Sequence, residues 1–298
     1  MENSYATAQP LDNVKLTAPK KQRIWELDFL RGICVLLMIF DHVMYDLAYV
    51  FGPAWAATGS DFLAQLWAHS KAYFETNLRD FVQPLVVIIF AFLCGISCSF
   101  SRNNLKRGLQ VGICAALITL VTTLMDMPIR FGILHMFCVA ILLWWLINLC
   151  CRNKKWLTAG VCLAVGVTIV LINYFLMQEY NAFNLANPRN LGEKFVDTNT
   201  WAWVGEFLYG NPYAEFSADY QPIFPTVGYM LIGSSLAPLL YAKKRSLLPW
   251  LGKYDWYKPF SLWGKIALPV YVLHQVVVAV ILALISFFFI TKGNWVII

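Results

Sequence analysis

Seven long apolar runs divide this sequence, and they restrict its fold more than any other feature. Each holds about 20 mostly apolar residues, the length that an α-helix needs to cross a bilayer. The runs are continuous rather than alternating with a period of two, which favours helices over barrel strands. They are Phe29–Phe51, Phe81–Phe100, Gly108–Met125, Phe131–Cys151, Trp156–Met177, Ile223–Ala242 and Ile266–Ile290. Only 13% of the residues are charged, so we predict an all-α, polytopic transmembrane helix bundle with about seven spanning helices.

The Lys and Arg residues predict the orientation of this bundle. They concentrate in residues 15–31, 102–107, 152–155 and 243–265, which share a side with the N-terminus if the chain crosses seven times. Loops that stay in the cytosol carry an excess of Lys and Arg. We therefore predict a cytosolic N-terminus. The net charge of +6 is then a signal of topology and does not indicate nucleic-acid binding.

The segments between the runs predict the domain organisation. Residues 1–22 are polar and contain two prolines, which predicts a disordered cytosolic arm ahead of a transmembrane domain at 23–298. Asp61–Phe74 mixes aromatic and polar residues, a pattern typical of a helix lying in the membrane interface. Residues 179–221 form a long segment on the predicted outer side. The many aromatic residues in this segment argue against disorder and favour a functional role.

The first run holds an unusual density of ionisable residues. Charge at membrane depth costs about 3 kcal/mol or more per group, so these residues are candidates for a functional site. Arg31 and His42 are eleven residues apart, which is three helical turns plus about 20°, so they share one face. Asp28 joins this face before Arg31, and Tyr45 and Asp46 extend it after His42. The spacing predicts a polar stripe that ends at an imidazole about 16 Å further into the membrane than Arg31.

Two other histidines lie at predicted membrane depth, His135 in the fourth run and His274 in the seventh. A single histidine in a bundle often has a packing role, bonded to a neighbouring helix. A five-residue stripe points more strongly to function. Asp41 is adjacent to His42 but lies off the stripe, so Asp46 or a residue of another helix is the expected partner of His42.

Common metal and nucleotide motifs are missing from the sequence. It has no Cys-x-x-Cys pair, no His-Glu-x-x-His and no Gly-rich phosphate loop, so we expect no bound metal. The cysteines lie inside the runs or at their predicted cytosolic ends, which implies no disulfide framework. Several glycines inside the runs are interpreted as positions of close helix packing. They are Gly95, Gly108, Gly112, Gly228 and Gly233.

Arg23–Gly32, followed by Asp41 and His42, resembles the start of the membrane acyltransferase superfamily, in which an Arg, ten residues and a His mark the first membrane helix. Other segments are similar, in the same order, to bacterial relatives of the catalytic domain of heparan-α-glucosaminide N-acetyltransferase. These segments are Phe90–Ser99, Arg130–His135, Ser217–Pro225 and Gly264–Gln275. The lysosomal enzyme places its proposed catalytic histidine between the first two helices, where this chain has only His69.

The resemblance implies an integral, multi-pass acyltransferase of the bacterial cytoplasmic membrane. Such an enzyme would move an acyl group, usually acetyl, from cytosolic acetyl-CoA or another acyl-CoA. The acceptor would be an amino or hydroxyl group of a sugar or cell-envelope glycan, at or beyond the outer leaflet. The expected partners are therefore the lipid bilayer, the acyl-CoA donor and a glycan acceptor.

Transfer from a thioester needs a base that deprotonates the acceptor, or a nucleophile that carries the acyl group. We predict His42 for this role, with Asp46, His274 and His135 as further catalytic candidates. Arg31 with Asp28 is predicted to anchor or orient the coenzyme. One acidic and three aromatic residues of the external segment are predicted to contact the acceptor: Asp219, Tyr220, Trp201 and Trp203.

Two other classes of protein remain open. A transporter or flippase of an anionic or sugar-containing lipid would use the same stripe as a proton relay. The sequence shows no inverted repeat and no pair of interrupted helices in its favour. A scaffold that has lost catalysis and binds a partner is the third class. The presence of Arg31, His42 and His274 together argues against it.

Overall fold

The computed structural model describes residues 23–177, 207–208, 217 and 219–289. The predicted arm 1–22 and most of the segment 179–221, including Trp201 and Trp203, lie outside the described residues. The described part is helical and contains no strand. In chain order its α-helices are α1 (Trp25–Tyr45), α2 (Gly52–Ala56), α3 (Asp61–Phe74), α4 (Asn77–Phe100), α5 (Asn104–Leu124), α6 (Ile133–Cys150), α7 (Lys155–Met177), α8 (Thr226–Leu240), α9 (Lys258–Lys265) and α10 (Ala267–Phe289). A π-helical turn, Asp46–Val50, continues α1.

Six of the seven predicted spans are helices long and apolar enough to cross a membrane: α1 with its π-helical turn, α4, α5, α6, α7 and α10. The remaining run, Ile223–Ala242, forms α8, which has only 15 residues. A helix of that length rises about 22 Å, less than the hydrocarbon core of about 30 Å. The structure therefore gives six spans by length and composition, and one shorter apolar helix in place of the seventh.

The short helix α8 is the best-packed element of the bundle and lies against α4 and α7. Small residues permit these close crossings. A Cβ atom added at Gly95 would lie 1.9 Å from the carbonyl oxygen of Met230, and one added at Gly233 would lie 2.3 Å from that of Phe92. Gly228 approaches α7 at Gly166 in a similar way. The interpretation of Gly95, Gly228 and Gly233 as packing positions is thus confirmed.

The outer helices expose apolar side chains instead of burying them. On α5 the exposed residues recur at helical spacing as Leu109, Ile113, Leu117, Leu120 and Leu124. Exposed apolar surface of this extent is unusual on a soluble monomer and fits contact with lipid tails. Since there is no hydrophobic gain from helix association within lipid, the close glycine crossings around α8 account for much of the packing.

The last run forms the helix α10, and a break at Ile266 separates it from the short helix α9 that precedes it. Helix α9 ends at Lys265 and α10 starts at Ala267. Pro269, in the first turn of α10, has no N–H to donate to the carbonyl of Lys265, and its ring crowds that carbonyl. Helix α9 packs closely on α1, where a Cβ atom at Gly264 would lie 1.8 Å from the carbonyl oxygen of Asp28. The break therefore lets α9 follow α1 while α10 takes a separate path.

The predicted interfacial helix is present as α3, with the expected bounds. It packs against the end of α1, and the Trp67 indole donates to the carbonyl of Ala48. The Tyr73 hydroxyl donates to Asp41, which also pairs with Arg79 of α4 at 3.1 Å. Burial, together with the Asp41 carboxylate, raises the pKa of Tyr73 to about 12, so its phenol stays a hydrogen-bond donor. Asp41 thus serves this junction, away from the predicted stripe.

Candidate active site

The predicted stripe on α1 separates into three groups in the structure. Asp28 and Arg31 face α4 and α9. His42 and Asp46 face α10. Tyr45 belongs to neither group, because its ring packs on Tyr49 and on Phe74 of α3. The expectation that Tyr45 extends one continuous stripe is therefore wrong: α3 covers that side of α1 and draws the phenol into an aromatic cluster.

His42 and His274 form a pair between α1 and α10. Their ring centroids are 4.8 Å apart, and the rings are nearly perpendicular, at 88°. His42 is half-buried, and His274 is buried, with 8% of its surface exposed. Two of the histidines that the sequence singles out separately thus meet at one place.

Hydrogen bonds fix the protonation pattern of the two rings. Nδ1 of His42 is 2.8 Å from the carbonyl oxygen of Met38, and Nδ1 of His274 is 2.6 Å from that of Tyr271. A carbonyl oxygen only accepts, so each Nδ1 must carry the proton. In the neutral rings Nε2 is then the basic nitrogen. Nε2 of His274 is buried and has no hydrogen-bond partner among the described residues, so this site holds an unused base.

Asp46 lies one turn after His42 and is almost fully buried, at 2% exposure. Both of its carboxylate oxygens accept from the side-chain amide of Gln275, at 2.9 and 2.8 Å. The carboxylate is also within electrostatic range of His42. Asp46 begins the π-helical turn that ends α1, and such turns recur at functional sites. The structure thus joins Asp46 to the histidine pair through the residue that follows His274.

Arg31 connects three helices. Its guanidinium donates to the Asp28 carboxylate at 2.9 Å, to the carbonyl of Gly264 at 3.2 Å and to the Ser97 hydroxyl at 3.0 Å. Asp28 is buried, at 7% exposure, and also has Arg23 at 3.8 Å. Since a guanidinium has five N–H donors, two donors of Arg31 remain for another partner. The geometry therefore gives Arg31 a packing role and leaves it able to contact a ligand.

Tyr271 connects the histidine pair to Asp219. Its ring centroid is 5.6 Å from that of His274, and its phenol is within electrostatic range of the Asp219 carboxylate. Asp219 lies beside the start of α6, where a Cβ atom at Gly132 would be 3.5 Å from its carboxylate. His42, His274, Tyr271 and Asp219 thus follow one another as neighbours.

The segment that carries Asp219 and Tyr220 is bonded to the loop before α6. The Ser217 hydroxyl accepts from the backbone N–H groups of Arg130 and Phe131 and donates to the carbonyl of Asp219. The Tyr220 hydroxyl donates to the carbonyl of Phe207. Burial raises the pKa of Tyr220, so this phenol remains a donor. Aromatic rings at Phe131, Phe207 and Tyr220 close over this end of α6.

His135 lies apart from the pair, on the first turn of α6. Its Nδ1 accepts from the backbone N–H of Gly132 at 3.2 Å, and its Nε2 is 3.0 Å from the Thr119 hydroxyl. That hydroxyl donates to the carbonyl of Ile129 at 2.6 Å, so Nε2 must be the donor to Thr119. Nδ1 therefore caps the start of α6 and Nε2 joins α6 to α5, which is a packing arrangement.

His69 is the histidine between the first two long helices. It lies exposed on α3, and its Nδ1 is bonded to the carbonyl of Gln65 at 2.7 Å. Nothing in the described residues brings it to the pair on α1 and α10. The described part of the chain also holds no group of three or more His, Cys, Asp or Glu side chains that is able to bind a metal ion.

Sequence reasoning missed two residues of this site, Tyr271 and Gln275. Both stand within three residues of His274, in the segment Gly264–Gln275. Polar groups inside an apolar run are costly, so their presence beside an intramembrane histidine was an available signal. What the sequence lacked was the register of α10 against α1, since that depends on the break at Ile266.

A membrane helix bundle that holds a half-buried imidazole against a buried one, beside a carboxylate and a phenol, is an integral membrane protein equipped for acid–base chemistry. Residues 23–276 match the family described as heparan-alpha-glucosaminide N-acetyltransferase, catalytic. The match covers most of the chain, which therefore belongs to this family of membrane acetyltransferases. Comparison with curated proteins and with solved structures gave no match.

Proposed function

We propose that this protein transfers an acetyl group from acetyl-CoA to an amino or hydroxyl group of a sugar at the membrane. The observation that carries the proposal is the His42–His274 pair, with ring centroids 4.8 Å apart, inside a chain of this family. Each ring has its Nδ1 proton bound to a carbonyl of its own helix. Each therefore presents Nε2 as a base, which acyl transfer requires.

In the proposed reaction the acceptor nitrogen or oxygen attacks the thioester carbonyl. One bond forms between the acceptor and the acetyl carbon, and the carbon–sulfur bond breaks. The proton of the acceptor passes to Nε2 of His42 and from there to the departing thiolate of coenzyme A. His274 adjoins His42 and is able to share that proton, while Asp46 stabilises the transient positive charge on the pair.

The donor is proposed to reach the pair from the basic end of the bundle. Arg31 lies on the same helix as His42, and two of its N–H donors are unused by the bonds to Asp28, Gly264 and Ser97. These donors favour a role in orienting the anionic coenzyme along α1. The predicted orientation, with the basic loops in the cytosol, supports the same direction of entry.

The acceptor is proposed to dock at the other end of the bundle, near Asp219. This carboxylate is a neighbour of Tyr271, which is itself packed on His274. The aromatic rings of Phe131, Phe207 and Tyr220 lie beside it. Aromatic rings next to a carboxylate suit a sugar, whose C–H face packs on rings while its hydroxyl or ammonium group donates to the acid. Trp201 and Trp203, outside the described residues, are proposed to add to this surface.

The test is transfer of labelled acetyl from acetyl-CoA by the purified protein in lipid nanodiscs. Glucosamine, glucose and a cell-envelope glycan fraction serve as acceptors, and products are separated by chromatography. Label on glucosamine alone indicates N-transfer, and label on glucose as well indicates O-transfer. Free acetate without any acceptor still supports activation of the thioester. A folded preparation that neither hydrolyses acetyl-CoA nor labels any acceptor would refute the proposal.

The transporter alternative has one observation in its favour, the break between α9 and α10 at Ile266. Interrupted helices line the ion and substrate sites of many transporters. A transporter, however, pairs such breaks in two related halves, and the described helices show a single interruption. Flux of a labelled anionic or sugar-bearing lipid across the bilayer of proteoliposomes, without any acetyl transfer, would favour this alternative.

A further inference from the structure

A cavity of about 340 Å³ opens at the basic end of the bundle, between the ends of α4, α6 and α8 and the start of α7. This volume is in the range of small-molecule sites, about 300–1,000 Å³. The histidine pair lies on α1 and α10, so the cavity is built from other helices. Its lining includes Lys155 and Lys244, and it contains no Asp or Glu among the described residues.

One network of polar side chains in this cavity leaves hydrogen-bond donors free. The Thr158 hydroxyl donates to the amide oxygen of Asn148 at 3.0 Å, and the Asn148 amide N–H donates to the amide oxygen of Asn153 at 2.6 Å. The two amide oxygens are thus used inside the network. Because each amide has two N–H donors, one N–H of Asn148 and the NH₂ group of Asn153 are left for a ligand.

A buried donor in the same wall has no partner. Trp144 is 93% buried and lines the cavity, and its indole N–H has no hydrogen-bond partner among the described residues. A buried N–H without a partner is unfavourable, because it has lost its hydrogen bond to water. An acceptor atom in the cavity would remove that cost. Trp144 is therefore a separate observation that favours a ligand with acceptor oxygens.

The helix ends give fields of both signs at this site. Helix α7 begins at Lys155, so its free N–H groups and the positive end of its dipole face the cavity region. Three helices end there, and each C-terminus contributes roughly half a negative charge. The two lysines of the lining and the N-terminus of α7 together carry more positive charge than the three C-termini carry negative charge. Four more basic residues adjoin lining residues in the sequence without lining the cavity themselves: Arg152, Lys154, Lys243 and Arg245.

We propose that this cavity binds a phosphate-bearing ligand. Phosphate oxygens accept strongly, carry negative charge and suit lysines, amide N–H groups and a helix N-terminus together. Two sources have this chemistry, the nucleotide end of a soluble cofactor and the head group of an anionic phospholipid. The first source would link the site to the proposed donor, but binding itself does not depend on the acetyltransferase proposal.

The experiment uses the full chain in phosphatidylcholine nanodiscs and two probes. Adenosine 3′,5′-bisphosphate is titrated by calorimetry, and phosphatidylglycerol is added to a second set of nanodiscs with thermal unfolding as the readout. For whichever probe binds, Lys155→Gln and Lys244→Gln are each expected to weaken binding roughly tenfold, the effect of losing a charged hydrogen bond. Trp144→Phe, which removes only the indole N–H, is expected to weaken it roughly fivefold.

The chain offers a matched control for each variant. Lys154→Gln and Lys243→Gln remove the same charge one residue away, outside the lining, and Trp145→Phe is the control for Trp144→Phe. These controls are expected to change binding less than twofold. Binding of the nucleotide or of the lipid with this pattern supports the site and names its ligand. The proposal is overturned if neither probe binds, or if the lining variants and their controls lose affinity equally.

A failure here is distinguishable from a failure of the acetyl-transfer proposal. His42→Gln is expected to bind the phosphate probe as well as the wild type does, because His42 is on α1, away from the lining. If the wild-type protein binds the probe but transfers no acetyl group, only the acetyl-transfer proposal fails. If it transfers acetyl but binds neither probe, only the cavity proposal fails.

Discussion

At the residue scale, each ring of the histidine pair is held in place by a hydrogen bond within its own helix. Each Nδ1–H is held by a carbonyl, at 2.8 Å for His42 and 2.6 Å for His274. Such a bond sets the tautomer and the ring orientation, as the partner of Nδ1 does in many acid–base sites. The two Nε2 atoms are then presented by rigid helices, and one proton is enough to charge the pair.

His42→Gln is expected to lose most acetyl transfer, because the amide keeps a polar side chain but cannot take a proton. General base catalysis contributes typically 10²–10⁴-fold, so the rate should fall by about that factor. His274→Gln should show a smaller loss, since that ring acts through His42. Both are measured as the rate of labelled acetyl transfer, with monodispersity as the check on folding.

The pH profile of the wild type provides a further check on this pair. The base must be neutral to act, so activity should fall as the pH is lowered and the pair becomes protonated. If His42→Gln transferred acetyl as fast as the wild type, the base would be a different residue. If His69→Gln abolished transfer instead, the base would be on α3.

Arg31→Ala is expected to lower stability and to raise the KM for acetyl-CoA. It leaves the Asp28 carboxylate, at 7% exposure, with only Arg23 at 3.8 Å. Breaking a buried pair costs about 3–5 kcal/mol, and the partial exposure of Arg31 reduces this to about 2 kcal/mol. Thermal unfolding and initial-rate kinetics measure the two effects.

Arg23→Ala is the matched control, since its side chain is 63% exposed and it faces the same carboxylate. It should change stability by less than about 1 kcal/mol. Adding Asp28→Asn to Arg31→Ala should recover part of the stability, because no unpaired charge is then left. A KM that does not change in Arg31→Ala would limit this residue to packing.

At the scale of elements, the apolar runs predicted where the helices are but not which of them are long enough to span a membrane. The bounds of α4, α7 and α10 differ from the runs by a few residues, and α3 has the predicted bounds. Hydropathy alone did not distinguish α8 from a spanning helix, because a fully packed short helix is as apolar as a lipid-facing one. The break before α10 follows from Pro269, a signal that was present in the sequence.

Gly95→Ala is expected to destabilise the protein by roughly 1–3 kcal/mol or to prevent folding, as overpacking does. The added methyl group would lie 1.9 Å from the carbonyl oxygen of Met230, a backbone atom that moves only if α4 and α8 separate. Gly160→Ala is the control, since no atom lies within 4 Å of its added Cβ. That variant should be neutral or slightly stabilising, because Ala favours a helix over Gly. Equal unfolding temperatures for the two variants would contradict the α4–α8 crossing.

At the scale of the whole molecule, the sequence predicted one half of the candidate site. Helical periodicity placed Asp28, Arg31 and His42 on α1 because that calculation needs only local geometry. The partner ring of His42 depends on the register between helices that are more than 200 residues apart in the chain. Single-sequence patterns carry no information on such a contact, so His274 was identified as a candidate and its pairing was not.

The orientation of the bundle is testable with paired cysteines at its two ends. Glu75 lies exposed in the turn before α4, and Lys154 lies exposed just before α7, at the opposite end of the membrane helices. Cys150 is exposed at the same end as Lys154, so the background carries Cys150→Ser. With the basic loops in the cytosol, Glu75→Cys should react with an impermeant maleimide in intact cells. Lys154→Cys should react only after lysis, and the reverse pattern would place the predicted donor entrance on the wrong side of the membrane.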